Sequence, residues 1–319
     1  GGGGNIQSKM TQFREVLAAL ALAPLFLGWV NQCRAWLQNR RAPSVWLPYR
    51  GIRKLFHKDA VIAEHASPLF RAAPYVVFGA MVAAAAIIPS MGTGLPFTSA
   101  ADAIALVGLL AVARVFMSLA AMDIGTAFGT LGARREMMVG FLAEPALLMV
   151  IFVASLISAT TALPLIAERL MTQAPGLYPS LAFTGVAFTM VLLAENARIP
   201  VDNPATHLEL TMIHEAMLLE YSARHLALLE WAAALKLFNY ACIGFALFVP
   251  WGASTGEAGP GALLLSVPVL GLKLLVAGIW LAALETVSAK LRVFRAPEFL
   301  ATAFMFAVLG LLVHLLLGA

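Results

Sequence analysis

The ionisable residues of this chain best placed to act together are Glu195, Arg198, Asp202, His207, Glu209, His214, Glu215 and Glu220. They fall within residues 195–222, ENARIPVDNPATHLELTMIHEAMLLEYS, between two apolar segments. Acids, bases and imidazoles at this density fit either a solvated, charged surface helix or a surface that docks a partner by charge. Metal binding fits poorly. His214-Glu215 is followed by Leu218, where a second ligand one turn on would have to be histidine. His207 and His214 stand about two helical turns apart, too far for one ion. The sequence also lacks a phosphate-binding glycine loop, a dinucleotide fingerprint, a Cys-x-x-Cys pair and a nucleophile elbow. No catalytic, cofactor-binding or metal-ligating residue is therefore expected in this chain. Cys33 and Cys242 are too far apart in sequence to suggest a disulfide framework or a metal cluster.

A second set of charges lies inside apolar runs: Arg114, Glu144, Glu230, Lys236, Lys273 and Glu285. An ionisable group at bilayer depth is costly unless paired or hydrated, so such groups usually face a bundle interior and mark ion pathways. The competing reading is that Glu230, Glu285 and Arg114 sit near helix ends and snorkel to the interface. We take the six as an internal polar axis of coupling residues. Glu230 and Lys236 are about 120° apart around a helix and make poor partners, so their counter-charges must come from neighbouring helices.

The elements that position these residues follow from composition. With 61% hydrophobic and 12% charged residues and a mean hydropathy of +0.86, the chain reads as an all-α integral membrane protein. Apolar runs of spanning length predict about eight transmembrane helices, near 14–36, 72–91, 100–122, 137–162, 178–194, 225–250, 263–286 and 298–317. A large charged cytoplasmic loop lies between helices 5 and 6. Within that loop Asn203 and Pro204 read as an N-cap and first helical position, predicting a helix to about Tyr221. It would carry His207, Thr211, His214 and Leu218 on one face and Glu209 and Glu220 on the opposite one. Gly125, Gly129 and Gly132 have small-residue spacing suited to close helix approach. The leading GGGGNIQSK, residues 1–9, reads as linker, with 10–319 a single transmembrane domain.

Lys and Arg set the orientation. Arg34, Arg40, Arg41, Arg50, Arg53, Lys54, Lys58, Arg71, Arg134, Arg135, Arg198, Arg224, Lys290, Arg292 and Arg295 all fall in one set of loops, fifteen of the 21 basic residues. Those loops are expected in the cytoplasm and both termini outside, in a multi-pass membrane protein. The net charge of +4 follows from this asymmetry and anionic headgroups. No nucleic-acid partner is implied.

Glu195-x-x-Arg198-x-Pro200-x-Asp202, followed by Glu209-Leu210 and Glu220-Tyr221-Ser222, resembles the large cytoplasmic loop of the respiratory complex I subunit 1 family. Residues 54–76, KLFHKDAVIAEHASPLFRAAPYV, resemble the approach to that family's second helix. LGARREMMVGFLAEP around Glu144, the segment around Lys273, and ETVSAKLRVFRAPEFL at 285–300 extend the likeness over nearly the whole chain. Ala205 and His207 stand where the complex I pattern carries acids. RIPVDNPATHLELTMIHEAMLLEYSARHLALLEW is instead closely similar to the membrane-anchor subunits of group 4 nickel–iron hydrogenases, of the hydrogenase-4 and formate hydrogenlyase type. That resemblance implies a non-catalytic subunit of an oxidoreductase complex, coupling electron transfer to proton or sodium translocation. The partners it implies are hydrogenase large and small subunits, an iron–sulfur subunit and antiporter-like membrane subunits. The iron–sulfur clusters and NiFe centre would lie in those partners. Two alternatives remain at this stage, a quinone-chamber subunit of an NADH:quinone oxidoreductase and a stand-alone ion carrier.

Overall fold

The computed structural model describes residues 2–92, 103–173, 179–198, 201–202, 212–254, 260–288 and 295–318. Eleven helices are present among them: α1 (Gly2–Leu37), α2 (Leu47–Phe56), α3 (Pro68–Ile87), α4 (Ala103–Asp123), α5 (Ala127–Ser158), α6 (Leu163–Thr172), α7 (Pro179–Glu195), α8 (His214–Leu218), α9 (Ala223–Phe248), α10 (Pro260–Val287) and α11 (Ala296–Leu317). Seven are long and apolar enough to cross a membrane, namely α1, α3, α4, α5, α9, α10 and α11. The chain is a multi-pass helical membrane protein. The fifth expected span is α7, apolar but only 17 residues long, about 26 Å at 1.5 Å per residue.

Local chemistry explains where the helices begin. Ser67 caps α3, its Oγ accepting from Leu69 N at 3.2 Å with Pro68 in the first turn, which suits proline's missing donor. Thr126 caps α5, accepting from Gly129 N. That cap starts α5 ten residues before the apolar run at 137 and carries it as one 32-residue helix to Ser158. The segment 2–9, expected as linker, continues α1 as helix. Lengthening an existing helix costs less than nucleating one, so a long span can carry glycines at its end. In the large loop the described helix is only α8, and the expected start at Asn203–Pro204 lies outside the described residues.

The most buried span, α9, packs against α1, α2, α3, α6, α7 and α10. Helices α4 and α5 pack against each other and with α3, α7 and α11 to complete the bundle. The end carrying the basic loops is tied by side chains from distant segments. Ser67 N donates to Asp123 Oδ2, Tyr221 donates its hydroxyl to Phe70 O, and Ser222 Oγ donates to Val61 O. The rings of Phe70 and Tyr221 stack at 4.0 Å. At the opposite end Met91, Gly92 and Ser254 meet over α1.

Candidate functional site

Arg114, on α4 and 8% exposed, is the hub of the site. Its Nε lies 3.2 Å from Glu136 Oε1, one terminal nitrogen 2.5 Å from Glu144 Oε1, and the other on Glu195 Oε2. Lys236 on α9 reaches the same Glu195 oxygen at 3.3 Å as an ion pair. Four helices, α4, α5, α7 and α9, thus converge on two cations and three carboxylates. A buried charge is tolerable when paired. This set has one carboxylate more than it has cations. Gly140 lets α5 approach, since a Cβ there would fall 2.5 Å from an Arg114 nitrogen.

A second ion-pair group lies at the basic end. Glu285, its side chain 1% exposed, meets Arg34 of α1 and Arg198 of the loop, each at 3.3 Å. Arg34 donates an aligned hydrogen bond, whereas Arg198 makes an ion contact only. Burial pulls the Arg198 pKa down, and Glu285 opposes that shift. Arg114 and Glu285 are both buried and ion-paired.

Asp202 is buried, and its Oδ2 accepts from the backbone N–H groups of Ile213 and His214, both at 3.2 Å. That anchors α8, which also packs on the extended start of α5, where Arg135 donates to Met212 O at 2.9 Å. His214 is half-buried. Burial holds its imidazole below the ordinary value of 6.5, with Glu136 and Asp202 opposing and Lys236 reinforcing the shift. His214 therefore stands within electrostatic range of both the loop and the hub. A cavity of about 350 Å³ lies between the loop and α1, lined among others by Asn31, Arg34, Arg198, Asp202, His214 and Glu215.

The structure thus brings together Arg114, Glu144, Glu195 and Lys236, and separately Arg198 with Glu285. It does not bring in Glu230, which is exposed on α9. Lys273 donates to Val249 O at 2.8 Å and lies over the Phe245 ring, away from the hub carboxylates. Glu215 and Glu220 are exposed. His207 and Glu209 lie outside the described residues. Sequence reasoning missed Glu136, which reads as loop until α5 begins at 127. It also missed Glu15 on α1, fully buried and accepting from Met91 N and Gly92 N at 3.1 and 2.9 Å. Among the described residues no group of three or more His, Cys, Asp or Glu could hold a metal ion.

The chain matches the NADH dehydrogenase family over residues 12–316. It is 35% identical over 263 residues to hydrogenase-4 component C of Escherichia coli strain K12, covering 82% of each chain. It is 32% identical over 300 residues to formate hydrogenlyase subunit 4 of the same strain, covering 93% of this chain and 95% of that one. Its fold superposes with a TM-score of 0.82 on a chain of the membrane-bound sulfane sulfur reductase, an archaeal respiratory membrane complex. That match covers 96% of this chain and 99% of the other at 17% identity, and it establishes the fold.

Proposed function

We propose that this chain, which belongs to the complex I subunit 1-like NADH dehydrogenase family, is the membrane-anchor and coupling subunit of a group 4 hydrogenase. The relatives at 32–35% identity are subunits of formate hydrogenlyase and hydrogenase-4, which supports that branch. In this reading the basic loops face the cytoplasm of a bacterial inner membrane and both termini face the periplasm. A soluble module of hydrogenase large and small subunits and an iron–sulfur subunit docks on those loops, carrying the NiFe centre and clusters. Antiporter-like membrane subunits complete the complex.

The observation that carries the proposal is the wiring of the loop into the spans. Arg198 is paired to Glu285, and His214 stands beside the Glu136–Arg114–Glu195–Lys236 hub. A charge or position change imposed on the loop by a docked redox module must then alter the field at the hub, because in a low-dielectric interior such effects reach across several ångströms. Glu144, its side chain 35% exposed, opens the hub toward a neighbouring subunit. Coupling of this kind needs two discrete states that both sites bias.

The test is to purify the native complex through a tag on this chain, identify its subunits and metals, and reconstitute it in vesicles. Nickel, iron and hydrogenase subunits should co-purify. Glu144→Gln should retain hydrogen turnover and lose ion movement. A chain that purifies without them, or full ion movement in Glu144→Gln, would overturn the proposal.

A further inference from the structure

Glu15, like Glu195 of the hub, is buried, but it lies at the end of the bundle opposite the basic loops. Its Oε1 accepts the N–H groups of Met91 and Gly92, and its Oε2 has no hydrogen-bond partner among the described residues. Ser254 closes over it, donating both its backbone N–H and its hydroxyl to Met91 O. A carboxyl placed there with an open acceptor is expensive for a structural role alone.

Between the hub and Glu15 runs a line of polar groups on α9. After Lys236 come Asn239, Tyr240 and Cys242, each 1% exposed, spanning about 9 Å along the axis. Asn239 lies within about 60° of both Lys236 and Cys242 around the helix. It donates to Met81 O at 3.1 Å while its Oδ1 stays open among the described residues. Tyr240 lies within electrostatic range of Glu195 and Arg114, and Cys242 within range of Glu15 and Lys273.

We propose that a proton route continues from Lys236 along α9 past Tyr240, Asn239 and Cys242 to Glu15, which forms its terminus opposite the basic loops. The inference rests on the coupling role proposed above and adds an exit within this chain. Among the described residues Cys242 of α9 lies within electrostatic range of Glu15, and Lys273 of α10 within range of Cys242. From α3, packed alongside, the backbone carbonyl of Ala86 accepts from Gln12 and that of Met81 from Asn239. Amide, thiol and carboxyl groups following one another, with the Tyr240 hydroxyl on the Lys236 side of α9, suit proton transfer through intervening water. They do not form the oxygen cage that a hard cation needs.

Two readouts test this in the whole complex in lipid vesicles. In a Cys33→Ala background, Cys242 is the remaining thiol of this chain. Silver ion on the side opposite the basic loops should protect Cys242 from alkylation after denaturation, measured by mass spectrometry of its peptide. It should do so at least tenfold faster than silver on the other side. Equal or absent protection overturns the route, and because this readout needs no turnover it leaves the docking reading standing. Glu15→Gln should reduce proton delivery to that side at least tenfold while viologen-driven hydrogen evolution persists, with Glu15→Asp partly restoring it. Undiminished delivery in Glu15→Gln also overturns the route.

Discussion

Replacing Glu285 with glutamine tests whether the large loop is held to the bundle by charge. The substitution keeps the side chain's volume and removes the one carboxylate shared by Arg34 and Arg198, each at 3.3 Å. Their side chains are 31% and 12% exposed and that of Glu285 is 1% exposed, so most of the screening that weakens surface pairs is missing here. Removing one partner of a buried pair costs about 3–5 kcal/mol, and Arg34's access to solvent argues for the lower edge. At about 2 °C per kcal/mol for a chain of this size the melting temperature should fall by ~6 °C. A fluorogenic thiol dye can follow the melt in detergent, because Cys33 and Cys242 are both free and buried and unfolding exposes them. Arg198→Gln alone should also destabilise. The double variant should cost less than the two singles added, by about 1 kcal/mol or more, since the residues share one interaction. A Glu285→Gln protein melting within 1 °C of wild type, or strictly additive singles, would refute the charge latch.

Gly140→Ala should displace Arg114 and lower the melting temperature by ~2–6 °C, from about 1–3 kcal/mol of overpacking. Gly271→Ala, where a Cβ would meet nothing within 4 Å, should leave the melt unchanged in the same assay. Because burial holds His214 below 6.5, the fold favours its neutral form. That contribution is fully present above pH 6.5 and is lost as pH falls below it. Melting curves at pH 7.5 and 5.5 should therefore differ less for His214→Gln than for wild type, and an unchanged difference refutes the assignment. Reporter fusions at Ser254 and Ala289 should be active on the periplasmic and cytoplasmic sides respectively, as the loop charges require. A cytoplasmic signal at Ser254 would reverse the orientation.

The spans were legible because apolar runs of bilayer length have few other uses. The ends of helices were not, and the errors have a common cause. The apolar run around 137–158 marks only the part of α5 that needs hydrocarbon, while Thr126 caps the helix and starts it at Ala127. Glu136 therefore reads as a solvated loop acid in sequence and is a buried Arg114 partner in the fold. A hydroxyl cap followed by residues with no helix breaker was the available signal. Glu15 sits next to Arg14 at the edge of the first apolar run, where charges normally reach the interface. Its burial comes from Met91 and Gly92 folding over it, and contacts so distant in sequence leave no trace in local composition.

Glu230 and Lys236 show how far the logic of intramembrane charge extends. Both occur in one apolar span, and the energetic argument treats them alike. In the fold Lys236 pairs with Glu195 of α7, while Glu230, on another side of α9, is exposed. Spacing excluded them as partners of each other, but the direction of either depends on which neighbouring helix packs where. An exposed carboxylate on a span of a multi-subunit protein must itself be covered or hydrated. Glu230 therefore belongs at a hydrated or subunit-contacting face of α9 rather than on the internal axis, and Glu230→Gln should spare the coupling that Glu144→Gln removes.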